Sequence, residues 1–192
     1  MNELILLPGD VFLTRGNGFI PAAIRFFSRG FGEKRTIVNH VGMIVEKGTL
    51  QDCVAIEVSY KVWKRKLWED YGPPAKSSVA VYRPKNLSAP ELEIIVSTAE
   101  EQVDKIYGFL KILAHILDWM FFGVYFFRRL FRNNKYPICS WLVAHAFSKA
   151  GKDFGVDPGA AQPDDIWDFI QNNPEKYDLV YPLGSLWEKA GD

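Results

Sequence analysis

Cys139 is one of two cysteines in the chain, and it stands where a reactive thiol is chemically favoured. Leu142, Val143, Ala146 and Phe147 follow it at offsets of 3, 4, 7 and 8, which is one apolar face of a helix that Gly151 ends. The cysteine therefore opens that helix, where free N–H groups and the positive end of the dipole stabilise a thiolate. The same N–H groups can stabilise an oxyanion when a carbonyl is attacked. A thiol nucleophile also needs a base, and the candidates are His40, His115 and His145. His145 lies six residues along the same helix, about 240° round it, and faces elsewhere. His115 sits in an aromatic stretch where packing accounts for it. His40 begins a strand, and Glu57 lies in the next one with apolar residues on both sides. If the two strands pair, Glu57 can hold the imidazole, and a base oriented by a third group is the logic of a catalytic triad. Each of the three residues has an ordinary packing role when taken alone; their joint placement at element ends raises the triad reading. Cys53 falls in mid-strand without a helix terminus, so Cys139 is the expected nucleophile.

The elements that must position these groups are short. Pro8-Gly9-Asp10 turns into a strand at Val11–Thr14, and Pro21 opens a helix that Gly30 stops. Strands follow at His40–Val45 and Cys53–Val58, joined through Lys47-Gly48-Thr49, with a third at Val79–Arg83. Alternation puts Val54, Ile56 and Val58 on one face, and Cys53, Ala55 and Glu57 on the other. Lys61–Tyr71 reads as a twisted edge strand with a solvated basic face. Trp63 within it and Trp141 beside Cys139 are candidate walls of a substrate cleft. Ser88 and Glu91 form a capping-box pattern, opening a helix that should run to about Tyr107-Gly108. Pro163–Trp167 opens a short helix, and Tyr177–Tyr181 is a last strand. Strands early and helices late predict an α+β fold.

A length of 192 residues fits one domain, 1–192. Lys plus Arg number 23 and Asp plus Glu 23, a balance that excludes a polyanion binder working by global charge, so no nucleic-acid partner is expected. The chain is rich in rings, with 6 Trp, 8 Tyr and 14 Phe. Many fall in an aromatic helical insert at about 109–132. Lys111, His115 and Asp118 interrupt it, and its longest uncharged run, Trp119–Phe127, is nine residues. A spanning helix needs ~20. The insert reads as a core helix or as a surface that meets lipid or another apolar ligand. Met1–Pro8 reads as no signal peptide, which predicts a reducing, cytoplasmic setting with free cysteines. No HxxxH or CxxC spacing is present, and neither a metal nor a cofactor is expected.

Gly9-Asp10-Val11-Phe12, Asn39-His40-Val41-Gly42-Met43-Ile44, Ile56-Glu57-Val58 and Ile138-Cys139-Ser140-Trp141-Leu142-Val143 occur in that order. The ordered set resembles the permuted papain-like branch of the NlpC/P60 superfamily, the YiiX/YaeF-like group. The resemblance implies a circularly permuted papain-like fold, an antiparallel sheet packed on a central helix that begins at the nucleophile. It implies Cys139 as nucleophile, His40 as base and Glu57 as the orienting group. Tyr107 resembles the tyrosine found upstream of the nucleophile, an oxyanion or substrate-positioning group. The implied activity is a cysteine hydrolase cleaving an amide or peptide bond through a thioester, with cell-wall peptides or similar amides as substrates. The long aromatic insert departs from the pattern and puts the substrate in doubt. Two alternatives follow: an acyl hydrolase or acyltransferase acting on lipids, as in lecithin–retinol acyltransferase-like proteins, and a binding module without turnover.

Overall fold

The computed structural model describes residues 4–16, 37–75, 77–106 and 138–185. The helix expected from Pro21, the aromatic insert at about 109–132 and Tyr107 lie outside them. The described residues form an α+β structure: β1 (Ile5–Leu6), β2 (Val11–Arg15), β3 (His40–Glu46), β4 (Gly48–Thr49), β5 (Val54–Val58), β6 (Val62–Lys66), α1 (Leu67–Tyr71), β7 (Ser78–Pro84), α2 (Ala89–Glu100), α3 (Cys139–Lys149), α4 (Pro163–Asn172) and β8 (Tyr177–Gly184). Six strands make an antiparallel sheet in the order β6-β5-β3-β2-β7-β8, and β1 pairs with β4 beside it.

Alternation along the strands separates two apolar layers. Leu13, Val41, Met43, Ile56, Val58 and Ala80 face α2, α3 and α4, where Ile95, Leu142, Phe147 and Ile166 complete the main core. Phe12, Ile44, Ala55, Val79 and Val81 face the other way and pack on Leu67 and Tyr71 of α1. The expected split of β5 is therefore observed, with Glu57 on the α1 side. Each fully buried Leu, Ile or Phe contributes ~1.5–3 kcal/mol. Both layers thus have enough apolar surface to hold a site at the ends of β3 and β5 in place.

Asp10 is a structural group. Its carboxylate accepts from Arg83 Nε at 2.8 Å and Nη2 at 2.7 Å, and from the Leu7 backbone N–H at 2.8 Å. Gly9, at φ +87°, makes the turn before it and donates to the Ile44 carbonyl. Asn39 sets the start of β3: its N–H donates to the Thr14 carbonyl and its Oδ1 accepts from Gly16 N–H at 2.7 Å.

Three elements differ from expectation. The edge strand expected over Lys61–Tyr71 ends at Lys66, and Leu67–Tyr71 form the helix α1 instead. The capping box at Ser88 forms, with Glu91 Oε2 accepting from Ser88 N–H at 2.8 Å, yet α2 stops at Glu100 rather than near Tyr107. Asp104, at φ +66°, turns the chain so that 104–106 lie along the free edge of β6. Val62 N–H donates to Lys105 O, Asp104 N–H donates to Val62 O, and Lys61 bridges Ile106. An open strand edge carries unpaired backbone groups, and that pairing outcompetes another helical turn. The basic face of β6 is also not free charge. Lys61 pairs with Asp104, Lys64 with Glu46 and Glu100, and Lys66 with Asp52. Among the described residues no helix is long and apolar enough to cross a membrane.

Gly42 lies opposite Phe12 in the β2–β3 register, and the Phe12 ring covers it. A Cβ at Gly42 would overlap that ring and come within 2.9 Å of the Ile56 carbonyl oxygen. Gly42→Ala is therefore expected to lower stability by ~1–3 kcal/mol through overpacking, read as a reduced denaturant midpoint with an unchanged slope.

Candidate active site

His40 is the first residue of β3 and Glu57 the fourth of β5. The strands pair with Met43 opposite Ile56, so Glu57 falls across from Gly42. His40 and Glu57 are then diagonal neighbours on one face, with no side chain at Gly42 between them. Glu57 Oε2 accepts from His40 Nε2 at 2.8 Å. The imidazole and the Cys139 thiol are close enough to shift one another's protonation, and with Nε2 given to Glu57 the nitrogen left for the sulfur is Nδ1. The structure thus brings Cys139, His40 and Glu57 into one chain of contacts.

Cys139 is the first residue of α3, and the residue before it, Ile138, is extended and makes no side-chain cap. The first turn keeps its N–H groups, and those of Val41 and Ser140 face the sulfur. Ser140 Oγ donates to the Ala161 carbonyl at 2.6 Å, anchoring this turn to the loop before α4.

Electrostatics favour charge separation between thiol and imidazole. Burial alone pushes the Cys139 thiol up, but the His40 charge and hydrogen bond outweigh it and the thiol lies below its usual range. Burial pushes His40 down, yet the sulfur and Glu57 raise it to about 10. Burial likewise opposes ionisation of Glu57, which is 4% exposed, and the hydrogen bond from His40 reverses that and holds the carboxyl low. Cys53 is the contrast. It is fully buried without such a partner, and its thiol is pushed up to about 11.

Three further groups surround Glu57, and the sequence reading singled out none of them. Tyr71 Oη donates to Glu57 Oε2 at 2.6 Å, and its ring packs edge-on against Phe12 at 5.7 Å. Arg65 Nη2 lies 3.4 Å from Glu57 Oε1, while Arg65 Nε pairs with Asp70. Asp70 also contacts Glu57, and burial together with that neighbouring carboxylate raises it to about 7. Part of this was available from pattern: Ala55 is opposite Arg65 and Glu57 opposite Trp63 in the β5–β6 hairpin. The alternation that places Glu57 on one face of β5 therefore places Trp63 and Arg65 beside it. Tyr71 and Asp70 carry no such signal, because α1 folds back over the sheet.

Of the two cleft candidates, Trp63 stands next to Glu57, half-buried, with Lys61 Nζ 4.1 Å and Arg65 Cζ 4.9 Å from its ring centre. Trp141 does not line an open wall. It is 2% exposed and stacks on His145 at 4.5 Å, because its position within the first turn of α3 turns it into the core. His145 is accordingly engaged with that ring rather than with Cys139. Among the described residues no cluster of three or more His, Cys, Asp or Glu side chains could hold a metal ion.

Site-resolved alkylation from about pH 4 to about pH 9 should show Cys139 reacting near neutrality, well below the ~8.5 of a free thiol, with Cys53 slow throughout. In His40→Ala only the Val41 and Ser140 N–H groups still oppose the effect of burial, so the Cys139 profile should move to higher pH by at least about one unit.

No family model matches this chain, and no curated protein does. Among solved structures, the chain is similar to the crystal structure of the protein yiiX from Escherichia coli O157:H7, described as a metalloprotein. The two share 16% identity at a TM-score of 0.52, covering 91% of this chain and 88% of that one. At that distance the similarity concerns the fold: this chain has a YiiX-like α+β fold.

Proposed function

We propose that the chain is a cysteine hydrolase that cleaves an amide or peptide bond, with Cys139 as nucleophile, His40 as base and acid, and Glu57 as the group that orients His40. The observation that carries this reading is the continuous contact from the Cys139 thiol at the start of α3, through His40, to the buried Glu57 carboxylate. Packing alone gives no reason to bury a carboxylate, an imidazole and a thiol in line. Burying a charge costs several kcal/mol even where partners offset part of it, so a buried carboxylate in line with an imidazole and a thiol points to use rather than to stability.

In this reading the Cys139 thiolate attacks the carbonyl carbon and the charge moves to its oxygen. The uncapped first turn of α3 supplies N–H groups toward that oxygen. The C–N bond breaks as His40 Nδ1 gives its proton to the leaving amine, and a thioester remains on Cys139. Water then attacks the thioester while His40 takes its proton, releasing a carboxylic acid and the thiolate. Every step uses the chain's own side chains and backbone. A permuted papain-like arrangement, with His and Glu preceding Cys in the chain, agrees with this order of roles.

A basic surface at Lys61, Lys64 and Lys66 would support the acyl-lipid alternative, but each of these residues is paired with a carboxylate. The alternative's other support, the aromatic insert, lies outside the described residues. Peptide or small amide substrates are therefore the first to test.

Chromogenic acyl-amide and acyl-ester substrates, offered both in solution and on vesicles, separate the alternatives. Hydrolysis should fall by at least ~10³-fold in Cys139→Ala and in His40→Ala. Rapid acid quench of the wild type should trap an acyl group on the peptide containing Cys139. Turnover that survives Cys139→Ala would sink the proposal, and activity confined to vesicle-borne esters would favour the acyl-lipid reading.

A further inference from the structure

We propose that Glu57 works as half of a carboxyl pair: Asp70 is a positioning residue that keeps a proton in its hydrogen bond to Glu57, so that the two groups together present a single negative charge to His40. This rests on the reading of His40 as the base and deepens it.

The geometry is a closed cluster. Arg65 reaches both carboxyl groups with one guanidinium, Nη2 toward Glu57 Oε1 and Nε to Asp70. Tyr71, the next residue after Asp70 on α1, donates to Glu57 Oε2, the oxygen that also meets His40. Among the described residues, the groups facing the pair are His40 of β3, Arg65 of β6, Glu69, Asp70 and Tyr71 of α1, Thr14 of β2 behind the Tyr71 hydroxyl, and Cys139 of α3 beyond the imidazole. Counting full charges, Arg65 and the imidazolium would face Glu57, Asp70 and the thiolate. Two adjacent carboxylates cannot both ionise without mutual repulsion, and one retained proton relieves it. That proton also supplies a donor to Glu57. Two oxygens of a buried carboxylate accept several hydrogen bonds, and each one fixed reduces its freedom to turn away from His40.

The arrangement distinguishes a positioning role from a plain Arg65–Asp70 ion pair. An ion pair keeps Asp70 ionised from the acid range upward. The carboxyl pair instead ionises a second time near neutrality and then adds a negative charge beside the imidazolium, which raises the proton affinity of His40.

Carbon-13 carboxyl NMR of the full-length protein reads this directly. In the wild type Asp70 should titrate at about 7. In Glu57→Gln, where no carboxylate is left to share with, its midpoint should fall toward the ordinary ~4. Nitrogen-15 NMR of His40 should show an inflection at the Asp70 midpoint, and Asp70→Asn should remove it. Asn keeps a donor toward Glu57 while discarding the charge, so it should also lower the His40 midpoint by about half a unit or more. Asp70→Ala, lacking the donor, should slow Cys139 alkylation below neutral pH, where Asp70→Asn does not. A wild-type Asp70 titrating as an ordinary carboxylate, or a His40 titration unchanged in Asp70→Asn, overturns the inference. If Glu57→Gln does not fold, the Asp70→Asn comparison decides alone. Because these readouts need no substrate, they stand apart from the hydrolase reading, which fails instead if Cys139 is slow and indifferent to His40.

Discussion

A carboxylate at 4% exposure is the constraint around which this site is built. Removing the Glu57 charge from water costs several kcal/mol unless donors replace the lost hydration. The fold supplies them from three directions: His40 from the neighbouring strand, Tyr71 from the short helix above, and Arg65 from the edge strand. Each donor needs its own support. Tyr71 is steadied by the Phe12 ring, and Phe12 has room only because position 42 has no side chain. A glycine in mid-strand, unfavourable by itself, is thus tied to the pairing of the imidazole with its carboxylate.

His40 touches groups that belong to opposite faces of the sheet. Glu57 lies on the side of Ala55, Phe12 and α1, while Cys139 belongs to the helix packed on the side of Met43 and Ile56. A residue in the middle of β3 could meet only one of them, since the sheet itself stands between. At the first position of the strand the imidazole reaches past the end of the sheet. The Asn39 hydrogen bonds with Gly16 and Thr14 fix where that end falls. The three groups therefore meet by virtue of strand register as much as of residue type.

Similarity of fold at 16% identity says nothing of chemistry by itself, because one scaffold can carry unrelated sites. The functional reading here rests on the side chains and on the direction in which they shift one another's protonation. It also separates the two cysteines. Both are buried, but Cys139 has an imidazole and a helix terminus, whereas Cys53 has a backbone carbonyl at 3.9 Å. Burial raises both thiols, and only for Cys139 does the environment overrule it.

Much of this was legible in the residues alone, because it depends on local periodicity. Alternation placed Glu57 and Ala55 on one face of β5, and the 3,4,7,8 spacing made Cys139 the start of α3. The Ser88–Glu91 pattern likewise marked the beginning of α2. Where α2 ends was not legible, since pairing of 104–106 with the edge of β6 is a long-range event. Nor was the burial of Trp141, whose spacing relative to Cys139 does not say which neighbours close over it. The shell of Glu57 was the largest omission. Arg65 follows from the hairpin register, but Tyr71 and Asp70 reach the carboxylate only because α1 folds back across the sheet. Periodicity is a property of neighbouring residues and survives in the sequence. The approach of α1 to β5 is decided by apolar burial summed over the second core layer, and only the tertiary structure carries that sum.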